Sequence, residues 1–307
     1  MTLSELRYIT AVAKELHFGR AAERCFVSQP TLSVAVKKLE EELGVALFER
    51  HQHEVNITDI GKRIVEQAEL ILNEANNLKE MAMQNKNQLS GELKLGIIYT
   101  IGPYLLPKLI PYINNIENDL TLLIEEDFTE NLAVKLKSGE IDIAILANPF
   151  EENGVETELL YKEPFLVALP KEHTLTKKKK LNSNDLIDDT MLLLRTGNCF
   201  RDQVVQLCPS CIAPKDKERD IQKSLESSSI ETIRQMVAAG VGITILPALS
   251  VDETSGLNNM LEFRPFSKPV PYREVIIAYR KSYPRIQAVE FIKQAIESCK
   301  SEFEQLQ

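Results

Sequence analysis

Between Phe18 and Gly44 the chain carries two helical patterns with almost nothing between them, and that spacing admits few folds. Phe18 to Cys25 reads as a short helix, with Ala21 and Ala22 small enough for close helix contact. A turn follows at Phe26-Val27. Ser28 is then a good N-cap, because its hydroxyl accepts from a backbone N–H left free in the first helical turn. Pro30 falls near the first helical position, where its missing N–H costs nothing. Leu32, Val36 and Leu39 form one apolar stripe at i, i+4 and i+7. The other face offers Gln29, Thr31, Ser33, Lys37 and Lys38, and Gly44 ends the element. This is the pattern of a helix-turn-helix whose second helix presents a polar face to a DNA groove. Leu3, Leu6, Ile9 and Ala13 predict a further helix over 1–15, and the short, partly β-branched stretch His51 to Thr58 predicts a wing hairpin.

A long helix is predicted from Thr58 to about Gln88. Ile64, Ala68, Ile71, Ala75, Leu78 and Ala82 alternate spacings of four and three, the repeat of a coiled-coil seam, so the segment is expected to pair two copies of the chain. Its span would be roughly 45 Å. The competing reading is a core helix of one domain. Gln84 to Gln88 and Ser90-Gly91 mark a hinge. Beyond it strands and helices alternate. Strands are expected at Leu93–Ile98, Leu120–Glu125, Ile141–Leu146, Phe165–Leu169, Met191–Leu194, Ile243–Leu246 and Val275–Tyr279. Helices are expected at Leu105–Ile113, Asn131–Lys137, Ser229–Ala239 and Ile286–Ser298. The alternation predicts an α/β fold with a mostly parallel, covered sheet.

The net charge of −9 seems to oppose DNA binding, but its distribution does not. Residues 1–65 hold nine basic and nine acidic side chains, so the whole excess of acid lies beyond them. DNA affinity follows a local basic face, not the total. No run approaches 18 apolar residues, so no membrane span is expected. Nothing at the N-terminus reads as an export signal, which points to the reducing cytoplasm. There the five cysteines are expected to be core, regulated or catalytic thiols.

Cys199 and Cys208 lie nine positions apart, and Arg201 follows the first closely. A thiolate attacks peroxide and a thiol does not, so a nearby cation is a chemical requirement for reactivity. If Gly197-Asn198 opens a helix at Cys199, the helix N-terminus adds to that effect. The competing reading of Cys199 is an inert buried thiol. Cys208-Pro209-Ser210-Cys211 is a C-x-x-C, either a redox pair or half of a metal site. No histidine or third cysteine has suitable local spacing, so no metal is expected. Cys25 is expected in the core, and Cys299 without a role. In one helix, Cys199 and Cys208 would stand about 13 Å apart along the axis. A disulfide needs Cα atoms within roughly 7 Å, so closing that bond would require the segment to unwind.

The stretch Phe18, Ala21-Ala22, Ser28-Gln29-Pro30, Leu32-Ser33, Leu39-Glu40, Leu43-Gly44 and Leu47-Phe48-Glu49-Arg50 resembles the helix-turn-helix signature of the LysR-type transcriptional regulators. Gly139 to Ile145 and Gly240 to Pro247 are similar to recurring elements of that family's effector domain. Residues Gly197, Cys199 to Gln203 and Cys208, with Thr100 to Pro107 and Asp127 to Gly139, resemble its peroxide-sensing members. The resemblance implies a winged helix-turn-helix over 1–58, a dimerisation linker helix over 59–90, and a two-lobed, periplasmic-binding-protein-like regulatory domain. Lobe I would be 91–163 plus 265–300, and lobe II 164–264, carrying the redox cysteines.

It further implies a regulator, not an enzyme, with no cofactor. Cys199 would be the peroxidatic thiol and Cys208 the resolving one, with Cys211 an alternative resolving thiol. Thr100 and Thr129 would bind peroxide. Asn198, Arg201, Asp202 and Arg273 would complete the surroundings of the thiolate. Gln29, Pro30 and Ser33, behind the Ser28 cap, are candidates for base edges, Thr31 and Lys37 for phosphates, and His53 for the minor groove. The partners implied are double-stranded promoter DNA, hydrogen peroxide, RNA polymerase, and further copies of the chain in a homodimer or homotetramer.

Three departures stand out. Asn198 replaces a histidine common before the peroxidatic cysteine, His53 stands where many relatives have arginine, and Cys211 is additional. A regulator responding to a small organic effector between the lobes is the alternative. A thiol peroxidase is a third reading, and an enzyme has no need of residues 16–50.

Overall fold

The computed structural model describes residues 1–50, 55–83, 89–117, 119–212, 229–251 and 260–300 of the 307. The chain forms two compact units, one built on Met1–Asn87 and the other on most of the remainder.

In the first unit α1 is Leu3–Glu15, α2 Phe18–Arg24 and α3 Gln29–Leu43. Thr2 and Glu5 close a reciprocal capping box on α1. His17 Nδ1 caps α2 by accepting from the Gly19 and Arg20 amides. Ser28 Oγ caps α3 by accepting from the Thr31 amide at 3.3 Å. Gly44 then stops α3 at φ 70°, a left-handed conformation that glycine adopts without strain. The expected stripe of Leu32, Val36 and Leu39 is fully buried, against Leu6, Ile9, Val12, Ala21 and Ala22. The wing strands β1 (Phe48–Arg50) and β2 (Val55–Ile57) pair antiparallel.

Helix α4 runs Asp59–Met83. Its early turns belong to this same core: Val65 and Ala68 are buried, with Ile64 and Ile71 packed beside them. Farther along, Leu78 is 69% exposed. The predicted seam therefore divides. Its first half packs inside its own unit, as the core-helix reading had it, while Leu78 faces solvent. Gly61 ties α4 to the wing, since a methyl added there would lie 2.3 Å from the Leu47 carbonyl oxygen. Backbone cannot yield as a side chain can, so Gly61→Ala is expected to destabilise the first unit by about 1–3 kcal/mol, read by its thermal melt.

The second unit holds a seven-stranded sheet in the order β4-β3-β5-β9-β6-β7, with β8 also on β6. The strands are β3 Gly91–Ile98, β4 Leu120–Asp127, β5 Ile143–Ala147, β6 Val155–Pro170, β7 Thr244–Pro247, β8 Leu261–Pro265 and β9 Tyr272–Arg280. Its helices are α5 Gly102–Ile116, α6 Thr129–Ser138, α7 Cys199–Leu207, α8 Pro209–Ile212, α9 Ile230–Ala238 and α10 Ile286–Lys300.

The expectation of a mostly parallel sheet is corrected. Among the described strands only β3 pairs in parallel, with β4 and with β5. The pairs β5–β9, β6–β9, β6–β7 and β6–β8 are antiparallel. The cause is β6, sixteen residues long. Its first part pairs with β9 as far as Pro164, and from Phe165 onward it pairs with β7 and β8. Met191–Leu194 is no strand but a bridge from Met191 to Ile243. One core lies around the end of β6, with Phe165, Val167, Leu192, Leu194, Phe200, Val204, Ile233 and Ile245 all buried.

Candidate functional site

Gly197 takes φ 93°, which aims the chain into α7. Asn198 is the N-cap residue in extended conformation, and Cys199 is the first helical residue. Phe200 and Val204, one turn apart, are buried and anchor the helix, with Phe165 edge-on to the Phe200 ring at 5.3 Å. Gln203 Nε2 donates to the Asn148 carbonyl at 2.8 Å and holds the outer side. Cys199 is half-buried and free. Cys199 thus stands in the first turn of α7, where the backbone N–H groups have no partner within the helix.

Arg201, expected beside the thiol, has a partner of its own on the backbone. Its Nη1 donates to the Leu194 carbonyl at 2.7 Å. Residues two apart on a helix do not face each other, so helix geometry alone does not bring the Arg201 guanidinium to Cys199. Asp202 is exposed in the first turn.

A cation that does reach this region is Arg273, fully buried, with its guanidinium 5.4 Å from the centre of the Phe200 ring. It donates to Glu163 Oε2 at 2.7 Å, to Thr100 Oγ1 at 2.9 Å and to the Thr100 carbonyl at 3.0 Å. Thr100 thus accepts from Arg273 and keeps its own O–H to donate. The Arg195 guanidinium lies over the Phe128 ring at 4.6 Å, and Tyr99 meets that ring edge-on. These contacts bring together the segments around 99–100, 128–129, 195–200 and 273. Within them Thr129 Oγ1 and Asn198 Nδ2 are buried with no hydrogen-bond partner among the described residues.

Asp127 organises the start of α6, where Thr129 stands. Its carboxylate accepts from the Phe128 amide and from Asn131 Nδ2, both at 2.8 Å, and from Lys135 Nζ at 2.6 Å. Burial works against the charged form, but these bonds outweigh it and hold the Asp127 carboxyl below its ordinary range. A depressed carboxylate stabilises the fold above its unfolded pKa, and that contribution fades as pH falls through the folded value. Acid unfolding of the second unit should therefore include a loss of stability below about pH 4, in the ordinary carboxylate range. Asp127→Asn should flatten that part of the pH–stability curve, followed by urea denaturation at stepped pH.

Cys208 caps α7 and is bonded to Cys211 of α8, with Cα atoms 5.4 Å apart. The expected Cys199–Cys208 bond is not the one present here. With α7 intact the rise between those residues is about 13 Å. Cys208 instead lies one turn from Cys211. Both sulfurs are buried against the Ser183 carbonyl oxygen, at 3.4 and 3.6 Å.

On α3, Gln29, Pro30, Thr31 and Lys37 are exposed and Ser33 is half-buried. Ser28 and Thr31 are bonded to each other through their hydroxyls at 2.7 Å, so they serve the helix cap. His53 lies outside the described residues. Sequence reasoning passed over Val34, which is 68% exposed on this helix. The signal was available, since Val34 is an apolar residue off the buried stripe and suits a thymine methyl.

Residues 3–62 match the family model described as bacterial regulatory helix-turn-helix protein, lysR family, and residues 86–300 match LysR substrate binding domain. The chain belongs to the LysR family. Within it, the chain is similar to the OxyR regulators. A hydrogen peroxide-inducible genes activator of Pectobacterium carotovorum subsp. carotovorum is 40% identical over 92% of each chain. The DNA-binding transcriptional dual regulator OxyR of Escherichia coli K12 is 38% identical, over 96% of this chain and 95% of that one. A full-length OxyR variant from Pseudomonas aeruginosa matches with a TM-score of 0.79 and 50% identity, over 96% of this chain and 97% of that one.

Proposed function

We propose that this LysR-family chain is a transcription regulator that binds promoter DNA and senses hydrogen peroxide through Cys199. The observation that carries the reading is a free cysteine at the first position of α7, in a region where Thr129 Oγ1 and Asn198 Nδ2 are buried without hydrogen-bond partners among the described residues. An uncharged peroxide can use both as hydrogen-bonding groups, together with the Thr100 hydroxyl. The Cys199 thiolate attacks one peroxide oxygen, the O–O bond breaks, and hydroxide leaves and is protonated to water. The Cys199 sulfenic acid is then attacked by the Cys208 thiolate, releasing a second water as the disulfide forms. Arg273 holds Thr100 in place and faces Phe200, so its role is to position the site.

The regulator acts on DNA in the cytoplasm, with RNA polymerase as partner, and catalyses no turnover of its own. It works as a dimer or tetramer, with the exposed part of α4 available for pairing. The regulatory domain divides at the partner change of β6 into lobes 91–163 plus 265–300 and 164–264. Support for the DNA half comes from the exposed face of α3. Gln29→Ala is expected to lower affinity for the preferred site by about 1–3 kcal/mol while leaving the salt dependence of binding unchanged, read by titrations at several salt concentrations.

The whole reading is tested by footprinting the full-length protein on a duplex selected from a random pool, before and after one equivalent of peroxide. A changed pattern of protection that is lost in Cys199→Ser is the expected result. An identical pattern with and without peroxide would refute it.

A further inference from the structure

Resting on the peroxide-sensing reading, we infer that Cys211 is a second resolving residue, which takes the disulfide from Cys199–Cys208 and returns Cys199 to its reduced state. The two candidate bonds of Cys208 make opposite demands on the fold. A Cys199–Cys208 bond joins the two ends of α7 and cannot close while the helix is formed. Closing it unwinds α7, whose Phe200 and Val204 are buried in the core. A Cys208–Cys211 bond asks for none of this. Its Cα atoms stand 5.4 Å apart, inside the usual range for a disulfide, with α7 and α8 both intact. The Cys211 amide donates to the Cys208 carbonyl at 3.1 Å, which fixes the short turn between them. Both sulfurs lie buried at one carbonyl, that of Ser183.

The step balances as a thiol–disulfide exchange. The Cys211 thiolate attacks Cys208 Sγ of the Cys199–Cys208 bond. That bond breaks, and Cys199 leaves as a thiolate. A Cys208–Cys211 bond has formed, and the two electrons taken by peroxide have come in the end from Cys208 and Cys211. Refolding of α7 drives the exchange forward. The unwound state is therefore transient, and the sensor times its own signal. Cys199 is rearmed while its resolving partner is engaged, so a second equivalent of peroxide leaves Cys199 as a sulfenic acid that no thiol captures.

The test starts from fully reduced full-length protein given one equivalent of hydrogen peroxide. Samples are alkylated at intervals and digested with trypsin without reductant. Cys199 falls in peptide 196–201, and Cys208 and Cys211 fall together in 202–215, so the two bonds are distinguished as a cross-linked pair and a single peptide lighter by two hydrogens. The expected course is an early 196–201 to 202–215 cross-link that decays as the internal bond and alkylatable Cys199 appear. Its lifetime should be at least tenfold shorter than in Cys211→Ser, with Cys211→Ala as a second variant should the first fold poorly. In Cys199→Ser the internal bond should not form on this timescale.

A wild-type cross-link as long-lived as in the variants, with Cys211 alkylatable throughout, overturns the inference and leaves the peroxide-sensing reading standing. An internal bond forming equally fast in Cys199→Ser also overturns it, since the pair would then be oxidised directly. A Cys199 that gains neither a linkage nor a dimedone adduct in any variant overturns both.

Discussion

Arg273→Met should destabilise the second unit by about 3–5 kcal/mol, because it leaves Glu163 charged, buried and without its main partner. Arg273 is buried among groups that all depend on it: Glu163 Oε2 at 2.7 Å and both oxygens of Thr100. The other Glu163 oxygen accepts from the Leu249 amide at 2.8 Å, one neutral bond that cannot replace a guanidinium. Arg273→Lys should recover only part of the loss, since a point charge cannot fill a fork that grips three acceptors. The double variant Arg273→Met with Glu163→Leu should lie much closer to wild type than Arg273→Met alone, because it removes both charges together. Urea denaturation of the three variants checks the order. A single Arg273→Met as stable as wild type would show that Glu163 finds another partner at little cost.

The second large effect is on α7. Trapping a Cys199–Cys208 bond, most directly in Cys211→Ser given one equivalent of peroxide, should abolish hydrogen-exchange protection of the amides in the last turn of the helix. The Cys208 amide donates to the Val204 carbonyl at 3.0 Å, and that bond cannot coexist with a link between the helix ends. Protection there should fall at least a hundredfold, while β6 and β9 keep theirs. Phe200 and Val204 each contribute roughly 1.5–3 kcal/mol by burial, so unwinding that exposes them also lowers the melting temperature of the oxidised form. Unchanged exchange across 200–208 in a protein proven to hold the bond would overturn the unwinding argument.

Legibility differed sharply between the two units. The helix-turn-helix was readable almost residue by residue, because its signals are local: a serine cap, a proline in the first turn, an i, i+4, i+7 stripe and a glycine stop. The Thr2–Glu5 capping box of α1 was missed, although its signal is as local, a threonine three residues before a glutamate. The first half of β6 was missed for the opposite reason. Val155 to Pro164 interleaves Glu156, Glu158, Lys162 and Glu163 with apolar residues and reads as polar surface. It is a strand because β9 lies beside it. Leu261–Pro265 depends in the same way on pairing with β6. Met191–Leu194 showed the reverse error, an apolar run buried without a ladder.

At the site, the sequence by itself determined the helix that opens at Cys199, its glycine entry, and the distance argument against a simple Cys199–Cys208 bond, since all three follow from chain geometry over about ten residues. The same local chemistry settled the cap, stripe and polar face of α3. Only the tertiary structure decided the rest. It gave Arg201 the Leu194 carbonyl as a partner and brought Arg273, more than seventy positions later in the chain, to the Phe200 ring as a buried cation. It bonded Cys208 to its near neighbour Cys211. The physical reason is common to both. A side chain's partner is chosen by which elements pack together, and in this unit the partners of Thr100, Glu163 and Phe200 are brought in by β9, a strand whose place in the sheet no local pattern encodes.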